Sequence, residues 1–132
     1  MKIFIDTSAL FALLDGDDDN HKKAKKEWML MLEQDSMLIT SNYIVVEITA
    51  LIQNRLGIDA VKALHESIMP LLIMEWTTPE IHRSSIGALL IASKRRLSLV
   101  DCSSFAIMRS LGINKAFTFD PHFKEQGFTC IP

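Results

Sequence analysis

The stretch that decides the fold is MKIFIDTSALFALLD, residues 1–15. Residues 2–5 read as a short strand with three consecutive apolar side chains, and residues 7–14 as a helix entered directly from it. Asp6 therefore stands at the carboxyl end of the first strand. In an open α/β sheet that is the edge where strand ends and helix N-termini converge and ligands bind. Taken alone, Asp6 reads equally as a helix N-cap, because Asp, Thr and Ser all accept hydrogen bonds from the free N–H groups of a first turn. Its second meaning comes from three more acids at comparable positions.

Working outward, residues 15–20 (DGDDDN) superficially suggest a calcium loop. The sixth position is Asn20 rather than Gly and the twelfth is Lys26 rather than Glu, so the stretch reads as an acidic turn before the next helix. That helix, about residues 21–34, carries Lys22, Lys23, Lys25 and Lys26 on a solvated face whose minority reading is a phosphate-contacting rim. Its Trp28 and Met cluster could serve the core or, where exposed, a partner protein. Residues 36–40 form a second strand. Ser41-Asn42 then caps a helix running to about Leu56, stopped by Gly57. Ile44, Ile48, Leu51 and Ile52 make one apolar stripe on this helix, and Glu47 lies at its edge. An exposed helical Glu is an equally good reading of that residue by itself.

Residues 58–70 predict another helix and 71–76 a third strand. Thr78 followed by Pro79 is a cap with proline at the first helical position, starting a helix to about Arg96. Lys94, Arg95 and Arg96 there complement the helix dipole, with phosphate contact as their second reading. Asp101 stands at the start of a helix, where it reads by itself as an ordinary cap; the apolar face of that helix runs through Phe105 and Met108, and Gly112 ends it. Residues 115–119 form a strand, Asp120 caps a turn with Pro121 in its first positions, and residues 128–131 make a last strand. The order β-α-α-β-α-α-β-α-α-β-α-β calls for an α/β fold: one domain over residues 1–132, with a mainly parallel five-stranded sheet and helices on both faces.

Composition agrees with a globular chain. In 132 residues, 48% are hydrophobic and 23% charged, with only five Gly and four Pro, which excludes disordered and collagen-like classes. The net charge of −2 does not advertise a nucleic-acid binder. If Asp6, Glu47, Asp101 and Asp120 form one site, however, setting them aside leaves the 14 Lys and Arg in excess over what remains of the 16 Asp and Glu. Cys102 and Cys130 sit in apolar contexts without ligand spacing and read as buried thiols in a reducing compartment. Asp6 interrupts the only stretch resembling a signal peptide, and no run is long enough to span a membrane. The expected location is the cytoplasm.

Four carboxylates around one crevice repel and raise one another's pKa, so such a cluster persists when a divalent cation neutralises it. Oxygen-only ligands select hard ions, Mg2+ or Mn2+, over zinc. Such ions serve phosphoryl transfer, making water a nucleophile at neutral pH and stabilising a leaving oxygen.

With IDTSAL at the first strand, Glu47 on the helix after the second, LVDCSSFAIM before the penultimate strand and FTFDPHF after it, the chain resembles the PIN domain family, and within it the VapC-like toxin ribonucleases. The resemblance covers essentially the whole sequence. It implies that Asp6, Glu47, Asp101 and Asp120 are the metal-binding, catalytic acids of a ribonuclease and that Ser8 hydrogen-bonds within the site. It also implies a homodimer and a small antitoxin protein that covers the acidic crevice. Some relatives process or degrade RNA without being toxins, and a non-catalytic RNA- or protein-binding module is the alternative from a different class. A haloacid-dehalogenase-like phosphatase expects a second acid where Ser8 stands, and a receiver domain expects acids where Ile3-Phe4-Ile5 stand. Walker A, H-E-x-x-H and G-x-S-x-G patterns are absent.

Overall fold

The computed structural model describes residues 1–94 and 96–132. Its first strand, β1 (Lys2–Ile5), is buried on both faces from Ile3 onward, as an apolar run without alternation requires. It leads into α1 (Thr7–Leu14), then α2 (His21–Glu33), β2 (Met37–Ser41) and α3 (Asn42–Arg55). The segment after α3 begins as α4 (Ile58–Ala63), loosens to π winding over Leu64–Ile68 and tightens to a 3₁₀ turn over Met69–Leu71. The single helix expected over 58–70 is therefore three windings. That turn also delays the third strand, because Leu72 N–H bonds to Met69 O and β3 is only Ile73–Glu75.

The chain continues through α5 (Pro79–Ala92), α6 (Leu99–Leu111), β4 (Lys115–Phe117), α7 (Pro121–Glu125) and β5 (Thr129–Ile131). Helix α5 opens as expected on Thr78, whose hydroxyl accepts from Ile81 N–H, but it closes at Ala92 rather than near Arg96. Ser93 takes a left-handed conformation at φ 51°, which ends the helix without a glycine. Lys94 and Arg96 thus lie beyond the helix, and Arg95 lies outside the described residues. Strand β4 stops two residues short of expectation: Thr118 N–H still reaches Ile131 O, but Phe119 N–H turns away to the Ser8 hydroxyl.

All five strands are parallel, in the order β3-β2-β1-β4-β5. Phe4 is the centre of the register, opposite Ile39 on one side and Ala116 on the other. The chain winds outward from β1 through β2 to β3, then returns to the other side of β1 for β4 and β5. The reversal falls between β1 and β4, and their carboxyl ends flank a topological switch point, where adjacent connections leave on opposite faces and open a crevice. Ile44, Ile48 and Ile52 of α3, Leu10 of α1 and Ile107 and Met108 of α6 complete the core against the sheet. Of the two thiols, Cys102 is buried and Cys130 is half-buried. No helix among the described residues is long and apolar enough to cross a membrane.

Candidate active site

A cleft of about 530 Å³ opens at the switch point, and Asp6, Glu47, Asp101 and Asp120 all line it. Each reaches it by a different device. Asp6 is the residue at which β1 becomes α1: its N–H extends the ladder to Phe117 O, and its side chain caps α1 by accepting from Ser8 N–H. Glu47 projects from α3, beside the buried Ile44 and Ile48. Asp101 is not the cap of its helix, as position alone suggested. Ser98 is the cap, and Asp101 is the third helical residue of a capping box: Ser98 Oγ accepts from Asp101 N–H at 3.0 Å while Asp101 Oδ2 accepts from Ser98 N–H at 3.1 Å. Asp120 caps α7, accepting from His122 N–H at 2.9 Å, with Pro121 at the first helical position.

Asp6 is 3% exposed, and a compact network holds it. Its Oδ2 accepts from the Ser8 hydroxyl at 2.7 Å and from the Thr118 hydroxyl at 2.8 Å, besides the longer bond of 3.4 Å from Ser8 N–H. The same two hydroxyls accept in turn from the strand-end backbone, Ser8 Oγ from Phe119 N–H and Thr118 Oγ1 from Asp120 N–H. Among the described residues Asp6 Oδ1 accepts none of these bonds. Thr118 was not singled out from the sequence, although it ties β1 to β4 across 112 residues of chain.

On the other side, α6 and α7 meet through an aromatic cluster. The rings of Phe105 and Phe123 are edge-on with centroids 5.0 Å apart, and Phe105 stacks on Phe128 at 5.9 Å. That packing fixes a helix of only five residues, which could not hold its place by its own hydrogen bonds. It sets Asp120 and His122 facing Asp101. His122 is the other residue sequence reasoning passed over. Its Nδ1 lies 2.9 Å from Asp120 Oδ1 and 3.9 Å from Asp101 Oδ2, and atoms of all three side chains fall within 4.8 Å of one another. Despite the short approach, Nδ1 is buried and out of line for a hydrogen bond.

Electrostatics binds the acids into one unit. Burial pushes the Asp6 carboxyl up to about 6, the Ser8 and Thr118 hydroxyls hold it back, and Asp101 and Asp120 push it further up. Burial also raises Glu47, with Asp101 and Asp120 adding to the rise. The Thr7 hydroxyl offsets part of it, though that hydroxyl makes no aligned hydrogen bond among the described residues. Asp101 is raised by burial and by Asp120, against the Ser98 backbone N–H that lowers it. Concentrated negative charge of this kind, half-desolvated and open to a cleft, is the donor chemistry that fits a divalent cation.

Of the expected phosphate contacts, Arg96 lines the cleft, whereas the exposed Lys94 and the α2 lysines do not. Asp18 and Asn20 of the acidic turn line it too. Asp18 Oδ2 accepts from Asn20 N–H at 2.9 Å, so the turn that fails as a calcium loop forms part of the cleft's rim.

Known proteins agree with this architecture. The chain is 33% identical over 127 residues to the 23S rRNA-specific endonuclease VapC20 of two Mycobacterium tuberculosis strains, covering 96% of this chain and 95% of that protein. The crystal structure of M. tuberculosis VapC20, a sarcin-ricin loop cleaving toxin, superposes with a TM-score of 0.85 at 32% identity, covering 96% of both chains. FitAcB from Neisseria gonorrhoeae, at a TM-score of 0.71 and 15% identity, covers 100% of this chain and 97% of that one, and shares the fold. The expectation of a ribonuclease drawn from the sequence agrees with VapC20, an rRNA-specific endonuclease. Residues 3–128, which carry all four acids of the expected site, match the model of the PIN domain, and the chain belongs to that family.

Proposed function

We propose that this chain is an endoribonuclease in which Asp6, Glu47, Asp101 and Asp120 hold Mg2+ or Mn2+ and position it against an RNA phosphodiester. The nucleases of this family use divalent metals, and the observation that carries the reading is the convergence of four carboxylates on one cleft at the switch point. When bound there, the ion would supply a water-derived nucleophile at neutral pH and charge for the leaving oxygen. The chain's own residues do the rest. Ser8 and Thr118 fix the Asp6 carboxylate, the capping box fixes Asp101, and the aromatic cluster fixes Asp120. Arg96, the described cation on the cleft wall, contacts backbone phosphate.

The likeness to VapC20, a 23S rRNA-specific endonuclease and toxin, supports ribosomal RNA as the substrate class and a toxin role, and the family resemblance implies a small antitoxin protein that covers the cleft. The family resemblance read from the sequence implies a homodimer, and the reading places it in the cytoplasm with residues 1–132 working as one domain. The test is incubation of the pure protein with ribosomal and unstructured RNAs, with Mg2+ or Mn2+ and with chelator. Discrete fragments that appear only with metal are expected. Cleavage that survives chelation would remove the metal from the mechanism, and intact RNA under every condition would favour a binding module.

A further inference from the structure

The ligand set assigned above is all oxygen, yet the structure puts a nitrogen in it. The imidazole of His122 is folded back over the N-terminus of its own short helix, because Pro121 and the Asp120 cap fix the turn and His122 N–H bonds to Asp120 Oδ1. The ring stays 19% exposed, but the exposure is not at Nδ1, which is buried without an aligned hydrogen-bond partner among the described residues. A buried imidazole nitrogen in that state is uncommon, since such atoms ordinarily find a partner or an ion. Its neighbours are carboxylate oxygens at 2.9 Å, from Asp120, and 3.9 Å, from Asp101. Donors about 2.1 Å from one octahedral ion lie about 3 to 4 Å from each other, so these separations suit a shared cation.

We infer that His122 Nδ1 is a metal donor beside Asp101 and Asp120, giving the site a mixed nitrogen and oxygen set that takes Mn2+ in preference to Mg2+. The inference rests on the reading of a divalent ion in the cleft and goes beyond it by changing which ion that is. Magnesium is a hard cation that keeps water and carboxylate oxygens, whereas first-row transition ions accept imidazole readily. Asp6, saturated at Oδ2 by two hydroxyls, stands apart from this trio.

The probe is Mn2+ itself, titrated into the whole protein and read by pulsed electron paramagnetic resonance. The expected spectrum carries the hyperfine coupling of a directly bound imidazole ¹⁴N. In His122→Gln, which keeps an oxygen donor, that coupling should vanish. Calorimetry should then show Mn2+ affinity weakened by roughly tenfold while Mg2+ affinity moves far less. Mn2+ held without nitrogen coupling would overturn the inference and leave the ribonuclease reading standing, with His122 merely paired to Asp120. Coupling that persists in the variant would place the nitrogen elsewhere and also overturn it. Mg2+ bound where Mn2+ is not would overturn the inference alone, and absence of specific binding of both ions would bring down both readings. A wild-type spectrum without nitrogen coupling overturns the inference whether or not the variant folds.

Discussion

The two walls of the cleft solve the same electrostatic problem in opposite ways. On the wall built by β1 and the end of β4, Asp6 is buried most deeply, yet its charge is answered by two hydroxyls of the chain itself. On the wall built by α6 and α7, Asp101, Asp120 and His122 crowd together, and the buried Nδ1 has no aligned partner among the described residues. One wall is preorganised by hydrogen bonds and the other is left incomplete by the protein. A ligand should therefore matter most to the second wall and local structure most to the first.

The sharpest way to break that contrast is Asp101→Asn. If the α6 wall is completed by an ion, RNA cleavage should fall by orders of magnitude while the fold persists, since Asn can still accept from Ser98 N–H. Metal-free melting should hold or rise, because one repelling charge is gone, and the extra stability given by added Mg2+ or Mn2+ should shrink. A variant retaining full metal stabilisation and full activity would show that Asp101 serves only its capping box.

The β1 wall makes its own prediction through pH. Asp6 is raised from 3.8 to about 6 in the folded chain, so between those values the native state binds the extra proton. Its contribution to metal-free stability is therefore fully present below pH 3.8 and is lost as pH rises through about 6, by on the order of 3 kcal/mol. Melting of the metal-free protein across that window should expose the slope, and Asp6→Asn should flatten it. Thr118→Val removes one of the donors that hold the carboxyl down, so it should move the midpoint upward. A slope indifferent to both substitutions would mean that Asp6 is not the group titrating.

The smallest expected effect concerns neither wall but the rim. Arg96→Gln should weaken RNA binding a few-fold and lower the slope of log affinity against log salt by about 1, leaving metal affinity unchanged. An unaltered slope would return Arg96 to the ordinary solvated surface.

How far these walls could be read beforehand differs as well. Asp6 and Asp120 were legible because each follows a strand and opens a helix, a pattern carried by local periodicity and by Pro121. Asp101 was legible as an acid but not in its role, although the Ser98-Leu-Val-Asp101 spacing holds the capping-box signal. His122 and Thr118 were passed over because what places them is tertiary: one depends on Phe123 docking against Phe105, the other on β4 lying beside β1. The early end of α5 had no local sign, since Ser93 adopts a conformation usually announced by Gly. The return of the chain to the far side of β1, which creates the crevice, is a property of strand order that element order alone does not contain.

That strand order has a consequence for synthesis. Within this domain β1 is made before the strands on either side of it, and one of those neighbours, β4, is made only after helices α1 to α6. The bond from Thr118 to Asp6, the pairing of Phe4 with Ala116 and the contact between Asp101 and Asp120 all wait for the segment that carries β4 and α7. A partly translated chain can pair β1 with β2 and pack α3 on them, but it has half a cleft. If the chain is a toxin, it is therefore born harmless, and its danger begins only once residue 120 has cleared the exit tunnel and folded home.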